Sequence, residues 1–245
     1  MKTSNTRKNL SSGPHRPAIS PPTQAEEIRA AIAALPTQHV PAVRALRREY
    51  SRRLKAAPAR AVVQLGLRLM EMGGLTERFV AYELVLAHPA ALASLGQRDL
   101  QRFGRGLDRW EATDTFGCYL SGPAWREGQV PDALIQRWAR SRDRWWRRAA
   151  LVSTVPLNNR ARGARAAQGD APRTLAICAL LAADRDDMVV KAMSWALREL
   201  ARHDPAAVRA FLAEHGAGLA PRVRREVDNK LRTGLKNPRN RNGLR

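Results

Sequence analysis

"DDMVVKAMSWALRELARHDPAAVRAFLAEHG", Asp186–Gly216, decides the fold class of this chain. Its apolar residues recur at three- and four-residue spacing, the period of one buried face of an α-helix. The pattern breaks at Asp204–Pro205 and resumes with the same period until Gly216. Two helices joined by a tight turn result. Nowhere in the stretch does the alternation of a half-buried strand appear.

Working back through the chain gives the same unit repeatedly. "TQAEEIRAAIAALP" opens with Thr23 three residues before Glu26, the spacing of a capping box, and ends at Pro36. "PAVRALRREYSRRLKAA" carries Pro41 in its first turn, where a missing N–H costs nothing. "PARAVVQLGLRLMEMGG" stops at Gly73 and Gly74. "TERFVAYELVLAHP" follows with Thr76 as its cap. "VPDALIQRWARS", "RDRWWRRAALVSTV", "APRTLAICALLAA" and "PRVRREVDNKLRTG" complete the series. Segments of about 10 to 17 residues are ordinary helices. Short, serial helices separated by Pro, Gly and Asp predict an all-α fold, an α-solenoid of stacked antiparallel pairs with a concave basic face. One domain over residues 23–235 is expected, flanked by a disordered basic tail at 1–22 and a basic tail at 236–245.

Composition points to the class of partner. The 245 residues hold 43 Lys+Arg against 22 Asp+Glu, a net charge of +21. An excess of that size attracts polyanions, nucleic acid first and an acidic membrane surface second. No apolar run approaches the roughly 18 residues of a membrane helix, and the first residues lack the apolar core of a secretory signal. Cys118 and Cys178 form neither a CxxC pair nor a Cys/His grid. No metal site, disulfide framework or cofactor is expected, and both thiols are read as reduced, in an intracellular protein. "PLNNRARGARAAQGD", Pro156–Asp170, reads as a long flexible loop. Its Arg160, Arg162 and Arg165 either follow a phosphate backbone or stand solvated.

A different feature raises the question of chemistry. "RWEATDTFGC", Arg109–Cys118, puts Trp110 and Asp114 four residues apart, on one helical face. Taken alone, the pair reads as a core indole and an ordinary ion-pairing carboxylate. "RDRWWRRAA" adds Arg147 and Arg148 before the small pair Ala149–Ala150, and "KAMSWALRE" adds Trp195 and Arg198. Indole faces beside guanidinium groups suit stacking on sugar or base while cations hold phosphate. For Trp138, Trp145 and Trp146 simple packing is the expectation. Trp125, in the loop-like "SGPAWREG", suggests no role.

With these segments in view the chain resembles the AlkD-like, HEAT-repeat DNA alkylation repair glycosylases. The likeness runs through most of residues 41–235 and is carried by "RWEATDTFG", "SRDRWWRRAALV", "DDMVVKAMSWALREL", "DPAAVRAFLAEH" and "RREVDNKLRTG". Trp110 and Asp114 match the family's tryptophan and aspartate, Arg148 its arginine before an Ala-Ala pair, and Trp195 its second tryptophan. The resemblance implies a monomeric, monofunctional glycosylase on double-stranded DNA that releases cationic alkylated purines, such as 3-methyladenine and 7-methylguanine. It implies no metal and no pocket that buries a flipped base. Asp114, exposed between Trp110 and Trp195, would stabilise charge on the deoxyribose and orient or deprotonate water. Arg148, with Arg147 and Arg198, would hold phosphate. The segment "EATDTFG" and the long 156–170 connection depart from the family's usual pattern. A non-catalytic binder of bent or branched DNA is the alternative, and a protein-binding helical scaffold a third. A cytoplasmic location, nucleoid-associated on DNA, is expected.

Overall fold

The computed structural model describes residues 21–159 and 169–238. Arg160, Arg162 and Arg165, most of the N-terminal tail and the end of the C-terminal tail lie outside the described residues. Among those described, every regular element is helical: α1 (Pro21–Ala33), α2 (Val40–Arg53), α3 (Ala59–Glu71), α4 (Leu75–Leu86), α5 (Pro89–Ala93), α6 (Gln97–Phe103), α7 (Trp110–Phe116), α8 (Gly122–Arg126), α9 (Asp132–Ala139), α10 (Arg144–Ser153), α11 (Val155–Asn158), α12 (Ala171–Leu180), α13 (Asp187–Leu200), α14 (Pro205–His215) and α15 (Pro221–Thr233). A π-turn, Gly117–Ser121, joins α7 to α8.

The helices form an α-solenoid. One row runs α2, α4, α7, α10, α13, α15, each packed on the next. Behind it lie α1, α3 and α6, then α9, α12 and α14. Antiparallel pairs such as α3/α4, α9/α10 and α12/α13 bridge the two rows, as short turns require. The apolar stripes meet between the rows. Tyr82, Phe103, Phe116 and Trp125 are among the largest fully buried side chains. Trp138 and Trp146 pack tilted at 4.8 Å between ring centroids, with Phe116 on both. The packing expected of those two tryptophans is what the fold gives them.

Several local expectations are corrected. α1 begins at Pro21, so Thr23 lies within its first turn rather than at its cap. α4 begins after Gly74, whose φ of 90° suits glycine, and Thr76 sits inside the helix. There the Thr76 hydroxyl donates to Gln38. Trp125 belongs to α8, is 1% exposed, and its indole N–H donates to Asp132 at 2.6 Å. The presumed loop from Pro156 starts as the buried turn α11. Lys236, placed in the tail, reaches the buried Glu226 at 3.5 Å. Finally, Asn158 is fully buried: its amide N–H₂ donates to the Thr154 carbonyl and the Thr174 hydroxyl, and its oxygen accepts from the Asp170 N–H. That one side chain closes the connection between α11 and α12.

Candidate active site

α7 starts at Trp110 because Arg109 is extended and can serve as its cap residue. At the helix mouth Trp110 is left 52% exposed, unusual for an indole in a chain with a well-filled core. Asp114 follows one turn later. Its side chain is 17% exposed and faces α10.

Close approach of α7 to α10 depends on small residues. A Cβ on Gly117 would stand 2.6 Å from Val152 Cγ1, so only glycine fits without displacement. Ala149 and Ala150 are fully buried on the α10 side. The Ser121 and Ser153 hydroxyls, also buried, lie 2.6 Å apart. The π-turn begins within this contact. Such turns insert one residue into a helix and recur at functional sites.

The result is a fixed pair. Arg148 Nε donates to Asp114 Oδ1 and Nη2 to Oδ2, each at 2.8 Å. The remaining Nη1 donates to the Met188 carbonyl of α13 at 2.5 Å. Arg148 is 5% exposed. Planar, two-pronged pairing of this kind holds a carboxylate in one orientation. Burial pushes the Asp114 carboxyl above the usual aspartate range; Arg148 pulls against that, and the neighbouring Glu111 charge adds to it. Asp114 is therefore not a lone exposed anion, and Arg148 faces Asp114 and Met188 instead of reaching outward to a phosphate.

The other expected cations are also placed. Arg147 donates through Nε to Asp184 at 2.7 Å and through Nη1 to the carbonyls of Ser141 and Arg142, bracing the start of α10 against the turn between α12 and α13. Arg198 donates through Nε to the Ser194 hydroxyl; partial burial lowers its pKa while the Glu226 and Glu199 charges oppose that. Trp195 is half-buried against the core. On α13 the Met188 backbone carbonyl receives Arg148, and the Glu199 charge helps raise the Cys118 thiol.

On its other side Asp114 borders a hollow of about 310 Å³. Val40 and Val43 of α2, Leu75, Phe79 and Tyr82 of α4, and Trp110 of α7 give it apolar walls, with Glu111 and Asp114 among the polar groups. Val40 and Leu75 stand exposed on the lip beside Trp110. Trp195 does not line this hollow, so the two indoles do not close over Asp114 together. Burial raises the Cys118 thiol to about 12, which makes it a poor nucleophile at neutral pH. Among the described residues no group of three His, Cys, Asp or Glu is placed to hold a metal ion, and no helix is long and apolar enough to cross a membrane.

Sequence reasoning missed part of this surface. Glu83 of α4 is buried and takes Arg44 and Arg47 of α2 on separate oxygens, each at 2.9 Å, while Arg44 also reaches the Tyr119 hydroxyl. Arg44 and Arg47 are three apart on one face, the only signal the sequence offers. Glu111 was legible as the residue after Trp110 but not as a lining group.

A family model described as DNA alkylation repair enzyme matches residues 34–231. No curated protein matches the chain.

Proposed function

The chain belongs to the DNA alkylation repair enzyme family, and on that basis we propose that it is a monofunctional DNA glycosylase that hydrolyses the N-glycosidic bond of cationic alkylated purines in duplex DNA. The observation that carries this reading is the Asp114–Arg148 pair beside the exposed Trp110.

A purine alkylated at N3 or N7 already carries positive charge and leaves without being protonated. As the bond to C1′ stretches, charge passes to the deoxyribose, as in other glycosyl transfers. A carboxylate fixed before the reaction stabilises that charge without reorganising. Asp114 has this role, and Arg148 orients it. The exposed face of Trp110 packs on the sugar and backbone of the lesion nucleotide. The surplus of basic residues supplies affinity for the duplex, and the open rim of the hollow lets the enzyme act without engulfing the base.

The test is release of free 3-methyladenine or 7-methylguanine from methylated duplex, measured by mass spectrometry. Wild type should release base, and Asp114→Asn should not, with duplex affinity retained. Tight binding to bent or branched DNA with no release from wild type would establish the non-catalytic alternative instead.

A further inference from the structure

Hydrolysis puts water on C1′, and that water must lose a proton. Asp114 is badly placed to take it. Both its oxygens accept from Arg148. Protonating Asp114 would leave a guanidinium that is only 5% exposed without its counter-charge, a costly state.

The other titratable groups lining the hollow are Arg78, Tyr82 and Glu111. Arg78 is held by the Tyr82 hydroxyl and by the carbonyls of Phe103, Arg105 and Gly106. The Tyr82 phenol is pushed up to about 12 by burial and donates to the Phe103 carbonyl. Glu111 alone offers a carboxylate whose side chain has no hydrogen bond or ion pair among the described residues. It lies three residues before Asp114, on the same side of α7, and its charge is felt at Asp114.

We infer that Glu111 is a second catalytic carboxylate, the proton acceptor for the attacking water, while Asp114 holds the developing cation. The step balances. The water oxygen bonds to C1′ as the C1′–N bond breaks, and the electron pair of the broken bond stays on the purine nitrogen, so the cationic purine leaves uncharged. The water proton passes to Glu111 and then to solvent. The assignment rests on the glycosylase reading. It also competes with a plainer role, since an acid in the first turn of a helix favours the helix dipole.

Single-turnover base release from methylated duplex separates these. Glu111→Gln should lose about 10²-fold in release, a usual size for general-base catalysis. Melting temperature and duplex affinity should hold. Glu111→Asp should restore much of the rate. Release by Glu111→Gln within about threefold of wild type, or a Glu111→Asp variant no faster than Glu111→Gln, overturns the assignment alone. Wild type that releases no base overturns the glycosylase reading together with it.

Discussion

Arg148 grips both oxygens of Asp114 at 2.8 Å and ties the pair to α13 through the Met188 carbonyl. Three consecutive helices of one row thereby meet at a single carboxylate. Its direction is set by the packing of the solenoid.

Removing that grip should cost stability and chemistry but not duplex affinity. Arg148→Ala leaves a buried, unpaired carboxylate, and a loss of about 3–5 kcal/mol is expected in chemical denaturation. Base release should fall by about 10²-fold or more. The salt dependence of duplex binding should be unchanged, because the guanidinium does not reach solvent. A shallower salt slope would show that Arg148 touches phosphate.

Trp110 should behave in the opposite way. Half of its surface is exposed, so Trp110→Ala should change folding stability by no more than about 0.5 kcal/mol. Loss of an aromatic face against the nucleotide should weaken release or binding by about 1–3 kcal/mol. Titration of a methylated duplex against the variant checks this.

Gly117→Ala forces a methyl group into Val152. Overpacking of this kind costs about 1–3 kcal/mol. Because the contact sets the spacing of α7 and α10, release should fall even where the protein remains folded, measured well below its melting temperature.

Acid should loosen the C-terminal end through Glu226. Burial alone would raise its pKa, but hydrogen bonds from Ser194 and Arg222 and the Lys236 charge outweigh that and hold it below the usual glutamate range. A depressed folded-state pKa gives stability that is present above the unfolded value, about 4.3, and lost as pH falls through the folded one. Denaturation midpoints should therefore drop below about pH 4.3, and Glu226→Gln should flatten that drop. At neutral pH Glu226→Ala should cost about 2–3 kcal/mol.

How much of this was legible depended on length and distance. α2, α3, α10 and α13 could be read because each runs for several turns and ends in Pro, Gly or Asp. α5, α6 and α8 span two turns or fewer, too short for any period to show. Thr23 and Thr76 misled because a hydroxyl residue before an apolar run also occurs inside a first turn, and Pro21 and Gly74 had already started those helices. The Trp110–Asp114 spacing was local and survived intact. Where Arg148 points was not: its carboxylate lies 34 residues away, and an arginine before Ala149–Ala150 reads as cationic whether it faces solvent or a buried partner.

The clasp made by Asn158 has one more implication. With the end of α11 and the start of α12 bound to the same amide, their register is specified without reference to the span between Asn159 and Gly169. Asn158→Ala should therefore loosen the join of α11 to α12 by about 1–3 kcal/mol in chemical denaturation, because the Thr174 hydroxyl and the Asp170 N–H lose their buried partner.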